Sequence, residues 1–346
     1  MKITMECIKL ILNQYGIQYY SWIPAQDFEE QENYYNLWLK NKRHATMNFL
    51  ENHAFAKFHP KNIMPTCKSI ILFLLPYYQP KQKIITKEDG IVARYAWGKD
   101  YHKIFNKIAK KLKAELQLEY PQEQFQFYAD ATPLSERYYA YCAGLGFIGK
   151  NNFLIHPQLG SWFFIGEILT SLPCLEKNIT MIPNLCGSCT RCLDSCPTKA
   201  LVSPFEIDCN RCIAFLTIEN RGEIPLSLRS CLGNHIFGCD ICQECCPYNQ
   251  NIETTTNLDL LHPIANESLH IPSILSLKNH EQFTNYFAGS PIMRAKYEGI
   301  LRNACIVAGN QQLISMKATL QELSLSSSPI IAEHAQWAYQ FLIRNS

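Results

Sequence analysis

Through the first 170 residues, short apolar runs of strand length alternate with stretches whose apolar residues recur at helical spacing. Met5–Tyr15, with Cys7, Ile8, Leu10, Ile11 and Leu12, predicts a helix, and Tyr19–Ile23 a short strand. Asn33–Asn52 predicts a single helix whose apolar positions are Leu37, Trp38, Leu39, Met47, Phe49 and Leu50. Pro60, Pro65 and the polar residues between them predict a loop. Lys68–Leu75, ended by Pro76, and Ser161–Leu169 are near-continuous apolar runs that suit buried strands. Residues 81–90 are polar and predict a surface loop.

The next helix is amphipathic. Ile104, Phe105, Ile108, Leu112 and Leu116 fall on one face, and Lys103, Lys107, Lys110, Lys111 and Lys113 cover the rest. Those lysines read either as a solvated face or as a phosphate-facing surface. Phe125–Ala129 predicts a strand with Asp130 at its carboxyl end, then Thr132 as N-cap, Pro133 as first helical residue and Glu136 in the first turn. A strand-to-helix loop is where open α/β sheets place their chemistry. On position alone, Asp130 reads better as a loop-capping carboxylate. Gly144, Gly146 and Gly149 spell G-x-G-x-x-G, but Asn151 to Gly160 contains Pro157 and predicts no helix. That excludes a dinucleotide fingerprint and leaves a glycine segment whose backbone comes close to a large ligand. Residues 251–258 are linker-like. Beyond Ser273, Tyr297–Val307, Gln312–Leu323 and Pro329–Ile343 repeat apolar residues at helical spacing, with breaks at Gly309-Asn310 and Ser324–Ser328. This pattern resembles a pair of helical-repeat units.

The length of 346 residues implies two or three domains, and 47% hydrophobic residues suffice for formed cores. A net charge of +2 announces no nucleic-acid partner, so any such binding needs a local patch. No apolar run reaches membrane-span length. The start, MKITMECIKL, lacks a secretory hydrophobic region, so a reducing cytosol and no membrane partner are expected.

Cysteine changes the picture. Most of the 16 fall between Cys186 and Cys246, while Cys7, Cys67, Cys142, Cys174 and Cys305 read as small buried apolar residues. Cys186, Cys189, Cys192 and Cys196 with Pro197 form C-x2-C-x2-C-x3-C-P, the bacterial ferredoxin spacing. Three closely spaced thiolates wrap one cubane, and the fourth reaches a second cluster. Cys239, Cys242, Cys245, Cys246 and Pro247 form a second run, in which Cys246 precedes its proline as Cys196 does. Crossing then gives one 4Fe–4S cluster to Cys186, Cys189, Cys192 and Cys246. The other takes Cys196, Cys239, Cys242 and an eighth thiol from Cys209, Cys212, Cys231 or Cys245. Zinc accepts paired C-x2-C, but a third cysteine at the same step and C-P fit it poorly.

Several stretches then resemble one family in order and spacing: Asp130-Ala-Thr-Pro133-Leu-Ser-Glu136-Arg137; Ala143 to Asn151; His156-Pro-Gln-Leu-Gly-Ser-Trp162 through Glu167; Cys212-Ile-Ala-Phe-Leu-Thr-Ile-Glu219; Gly233 to Asp240; and Gly289-Ser-Pro-Ile-Met-Arg294 leading to Arg302-Asn303. The chain resembles the epoxyqueuosine reductases, cobalamin-dependent iron–sulfur enzymes of the last step of queuosine synthesis in tRNA. The resemblance implies an α+β architecture. An N-terminal α/β cobalamin-binding domain would span 1–180, a ferredoxin-like two-cluster module 181–255, and C-terminal HEAT-like helical repeats 270–346. It implies Cys212 as the eighth ligand and Asp130 as proton donor. Lys57, Trp97, Asp130, Gly144, Gly146, Gly149, Lys150, Asn151, His156 and Trp162 are implied around the corrin. A donor near neutral pH needs a raised pKa, which burial beside an apolar corrin face would favour. The chain departs from the family at Ala45, where glycine is usual, at Pro65-Thr66 in place of Pro-Gly, and at the added Cys245.

The implied partners are the tRNA anticodon loop and an external electron donor, and the implied state is a monomer. Phosphate contacts are expected from Lys99–Lys113, Arg294 and Arg302, although Arg302 reads equally as a helix-surface ion pair. A cobalamin reductase of a small molecule, of the dehalogenase kind, is the alternative. The helical repeats favour tRNA, and the residues before the clusters argue against a bare electron carrier.

Overall fold

The computed structural model describes residues 5–14, 16–130, 133–174, 179–261 and 263–344. Its strands in chain order begin with β1 (Tyr19–Pro24), β2 (Ser69–Pro76), β3 (Asp89–Val92) and β4 (Phe125–Tyr128). The two-residue β5 (Phe147–Ile148) and β6 (Leu154–Ile155) and the long β7 (Phe163–Thr170) follow. β8 (Leu201–Ser203), β9 (Glu206–Ile207), β10 (His235–Phe237) and β11 (Ser268–His270) complete the set.

The main sheet has the order β1-β2-β7-β4, and every pairing in it is antiparallel. It is therefore no open parallel sheet, and the strand-end argument for Asp130 does not apply. Period-two alternation explains the apolar runs. Ile71, Phe73 and Leu75 face one core with Ile8 and Leu12 of the helix Met5–Gln14 and Ile104, Phe105 and Leu112 of the helix Tyr101–Glu119. Ile70, Leu72 and Leu74 face the other, with Leu134, Tyr139 and Ala140. Helices cover both faces, so Ile70 through Leu75 are buried on both sides of the strand and apolar throughout.

Two expected helices start or break elsewhere. Asn33–Asn52 is not continuous: helices run Glu29–Lys40 and Asn48–Asn52, separated by a turn in which Lys42 and Ala45 take φ of 54° and 57°. The left-handed region favours glycine, which is why alanine at position 45 is a departure with a cost. The helix predicted from Pro133 begins at Glu136, with Ser135 at the N-cap position. Thr132 lies outside the described residues.

A second sheet, β10-β3-β11, ties together parts that the sequence reading kept apart. β3 lies within residues 81–92, mostly expected as loop, yet it pairs parallel to β10 and antiparallel to β11. Val92, Ala96 and Trp97 share a core with Phe237, Phe283, Ile300 and Leu301. The boundary at residue 180 is therefore not a clean division. The C-terminal helices Lys296–Asn310 and Pro329–Arg344 match the predicted ones, except that Gly309 does not break the first, while the helix predicted from Gln312 begins only at Lys317, after a 3-10 turn at Ile314–Met316. A Cβ there would sit 3.0 Å from Trp337 and 3.3 Å from Ala338, so glycine lets the last helix approach.

Arg302 is buried rather than a phosphate contact. Its guanidinium donates to the carbonyls of Leu216 (2.6 Å), Asn220 (2.9 Å) and Gly222 (2.7 Å), and Asn303 donates to those of Thr217 and Ile236. This fixes the helical part to the cysteine-rich module. His334 does the same from the last helix: its Nε2 accepts from the Ile224 amide at 3.1 Å, so Nδ1 is the protonated nitrogen, donating to Ile330 O at 2.7 Å. Among the described residues, no helix is long and apolar enough to cross a membrane.

Two predictions follow from these contacts. Ala45→Gly relieves the left-handed alanine and raises the unfolding free energy by about 0.5–1 kcal/mol, read from urea midpoints. Burial pushes His334 down to about 4. The unfolded chain then binds the proton more readily, so this contribution is complete above about pH 6.5 and is lost as pH falls toward 4. Stability drops by about 2 kcal/mol between pH 7 and pH 5 through this group alone, and His334→Gln removes that part of the drop.

Candidate functional site

The cysteine module is built from two short helices that share one exit. Arg191–Ser195 ends at Cys196, which is extended (φ −69°, ψ 109°) before Pro197. Ile241–Glu244 ends through Cys245 at Cys246, equally extended (φ −73°, ψ 128°) before Pro247. A residue preceding proline is disfavoured in helical conformation. Each chain therefore leaves its helix at the cysteine and carries that thiol across to the neighbouring cavity.

The cavities sort the thiols accordingly. One, of about 300 Å³, is lined by Cys186, Cys189, Cys192 and Cys246. The other, of about 370 Å³, is lined by Cys196, Cys212, Cys239 and Cys242, with Cys209 also on its wall. Cys245 lines neither and directs its Sγ toward the Cys242 carbonyl at 3.7 Å. Burial pushes the Cys242 thiol well up, and the nearby Cys239, Cys212 and Cys196 push it further. Cys196 differs. Burial raises it, but Thr198 Oγ1 and then the Leu201 and Ala200 amides (the latter 3.3 Å from Sγ) outweigh that and bring it below the ordinary thiol value.

A cleft adjoins the second thiol cavity. One part, of about 350 Å³, is walled by Tyr77, Tyr95, Tyr101 and Phe164 and reaches Cys239. A second part, of about 320 Å³, is walled by Tyr35, Trp38 and Lys57. Both parts share Asp130, Glu136 and Arg137. The second thiol cavity shares Arg137, Phe153, Ala214 and Cys239 with the cleft, and Asn151 with the first thiol cavity. The three spaces thus run in series: first thiols, second thiols, cleft.

Asp130 stands at φ +54° with its side chain exposed and accepts from the Tyr101 hydroxyl at 2.5 Å. Tyr101 is fixed between Phe164 (4.3 Å) and His102 (4.2 Å) by stacking, and burial followed by the charge of Asp130 pushes its phenol far up. It is a neutral donor at any working pH. Glu136 is pushed up to about 8, by burial first and then by the carboxyls of Asp130 and Glu167. It keeps its proton at neutral pH, a property no sequence signal announced beyond its place in the first turn. Burial, then the charge of Arg137, lowers Lys57.

Of the residues expected around a corrin, the structure brings Lys57 and Asp130 to the cleft and puts the others to different use. Trp97 and Trp162 are buried, and their rings sandwich the Arg94 guanidinium at 4.7 and 4.8 Å, with Tyr78 at 4.8 Å. Arg94 in turn donates its amide to Asp240 at 2.7 Å, beside Cys239. Gly144, Gly146 and Gly149 are needed for close approach, but to the protein itself: a Cβ would meet Thr180 O at 2.6 Å, Ile155 O at 2.6 Å and the Ile155 side chain at 2.5 Å. Lys150 donates to the carbonyls of Gly187 and Cys189 at the first thiol cavity, and Asn151 donates to Cys242 O between the cavities. His156 accepts from the Gln158 and Leu159 amides and caps its own turn. In each case other groups of the protein itself, the Arg94 guanidinium or backbone carbonyls and amides, meet the residue.

Thiol spacing and fold together define a double-cluster iron–sulfur oxidoreductase. Residues 185–249 match the 4Fe-4S double cluster binding domain family, and residues 57–131 match the family described as Epoxyqueuosine reductase QueG, DUF1730. The epoxyqueuosine reductase of Pseudomonas aeruginosa is 36% identical over 91% of this chain and 88% of its own. That of Escherichia coli is 33% identical over 91% and 84%. The chain belongs to the epoxyqueuosine reductase family. Solved structures agree. That of the Streptococcus thermophilus enzyme superposes with TM-score 0.89 at 28% identity, covering 99% of this chain and 91% of that one. Another epoxyqueuosine reductase, described with an epoxyqueuosine-modified tRNA stem loop, gives 0.89 at 28% identity, covering 97% and 89%.

Proposed function

We propose that this chain reduces epoxyqueuosine to queuosine at the wobble position of tRNA, in the cleft beside Asp130. The observation that carries the reading is the series of spaces, from outer thiols through inner thiols to an aromatic cleft holding two carboxyls. Cys186, Cys189, Cys192 and Cys246 would hold one 4Fe–4S cluster, and Cys196, Cys212, Cys239 and Cys242 the other.

Cobalamin fits the cleft. Each of its two parts has several aromatic rings on its wall, surface that a large flat macrocycle can use, and Lys57 and Arg137 stand on the same walls. Among the described residues, the buried Asn152 Nδ2 there has no acceptor, a donor suited to an amide side chain of the ring. When bound, the clusters supply one-electron carriers and cobalamin supplies a reducible cobalt centre. The chain's own residues do the remaining work. Loss of the epoxide oxygen as water needs two electrons and two protons. Asp130 delivers a proton to that oxygen, Tyr101 holds the carboxyl in place, and Glu136, protonated at neutral pH, resupplies it. An anticodon-loop base can be splayed out and inserted, with the phosphate backbone held by cations outside. The helices after residue 270 read as HEAT-like repeats that give the tRNA a surface. A monomer in the cytoplasm, reduced by an external donor, belongs to the same proposal.

Protein reconstituted anaerobically with iron, sulfide and cobalamin, then reduced, is expected to convert an epoxyqueuosine stem loop to queuosine, read by nucleoside chromatography. Fully loaded protein that yields no queuosine overturns the reading. Asp130→Asn is expected to keep both clusters and cobalamin while turnover falls by roughly 10²–10⁴-fold. Iron analysis separates the adjacent thiols. Cys246→Ala is expected to drop from about eight irons to about four, whereas Cys245→Ala keeps the full complement.

A further inference from the structure

Three of the cations expected to meet phosphate are already engaged. Arg302 is buried on carbonyls, and Lys99 and Lys107 both hold Asp259, at 2.9 and 3.3 Å. Arg294 is held differently. It lies in the turn Pro291–Ala295 with a side chain 56% exposed, and its Nε donates to Glu219 Oε1 at 2.7 Å. Among the described residues, neither of its terminal nitrogens has a protein acceptor. A guanidinium gripped at Nε presents its two terminal nitrogens as a fork, the geometry that matches a phosphate.

The surroundings fix where that fork stands. Arg221 donates to Arg294 O at 2.7 Å and to Ile218 O at 2.8 Å, locking the turn against the end of the helix Ile213–Ile218. Ala214, in the first turn of that helix, lines the cleft. From the other side, the Asp100 amide donates to Gly289 O at 2.8 Å, just before Tyr101, whose hydroxyl holds Asp130. The Glu219 hydrogen bond first, and the Asp130 carboxyl among lesser causes, hold Arg294 above its ordinary value. The fork is therefore tied at both ends to elements that form the cleft.

We propose that Arg294, positioned by Glu219, grips the phosphodiester flanking the nucleotide whose base enters the Asp130 cleft. The inference rests on the tRNA-substrate reading above and adds the residue pair that sets the backbone at the mouth. Glu219 has a distinguishing consequence. If it merely neutralised Arg294, removing its charge would make the site more positive and tighten RNA binding. As a positioning residue, its loss frees the fork and weakens binding.

The test is the salt dependence of stem-loop affinity, measured on reconstituted full-length protein with wild type, Arg294→Gln, Arg294→Lys and Glu219→Gln. Thermal melts check that each variant folds. Arg294→Gln is expected to weaken binding roughly tenfold at low salt and to lower the log–log salt slope by about 0.7–0.9. Arg294→Lys restores the slope but only part of the affinity, since an ammonium is no fork. Glu219→Gln weakens binding. An unchanged slope in Arg294→Gln, or tighter binding by Glu219→Gln, overturns the clamp while leaving the reductase reading intact. Wild-type protein that binds no stem loop overturns both.

Discussion

A helix cannot comfortably run into a residue that precedes proline, and this chain meets that restriction twice, at Cys196-Pro197 and Cys246-Pro247. Both helices stop, both cysteines become extended, and each thiol leaves the cavity lined by its own run for the one beside it. The two thiol cavities thereby become mutually dependent. Neither quartet is complete without a residue from the other run, and the two helices pack side by side. A backbone rule that needs no long-range information produces the most non-local feature of the protein.

The position of that module relative to the cleft is fixed by polar contacts on buried carbonyls. Arg302 and Asn303 reach into the segment 216–222 and to Ile236, while β3 lies between β10 and β11. Unmet carbonyls in a core are costly, so the helical part cannot drift from the thiols without exposing them. Arg94 adds a second fixing point, between three aromatic rings and with its amide on Asp240. The Trp97 and Trp162 rings that the family resemblance implied as corrin surface are thus closed onto a guanidinium. The side of the cleft toward Asp130 is left to Tyr101, Tyr95 and Phe164.

At the cleft itself the chain separates two carboxyls by environment. Asp130 is exposed, on a left-handed backbone, and accepts a short hydrogen bond from a phenol that does not ionise. Glu136, six residues on, is pushed toward the protonated form by burial and by its neighbours. Two acids of the same chemistry thus line one cleft, one exposed and hydrogen-bonded to a phenol, the other held toward its protonated form.

The amino-acid sequence alone carried the strands Ser69–Pro76 and Phe163–Thr170, the amphipathic helix from Tyr101, the C-terminal helices and the proline-marked exits at Cys196 and Cys246. Each is set by local period, proline or cysteine spacing, which act over a few residues. Sheet direction, the strand hidden in a polar stretch at Asp89–Val92 and the break between Lys40 and Asn48 lay beyond it, because partners distant in the chain impose them. The same holds for the fates of Trp97, Trp162, Lys150, His156 and Arg302. Residue type fixes what a side chain can bind, but only the folded arrangement decides which of several able partners reaches it first.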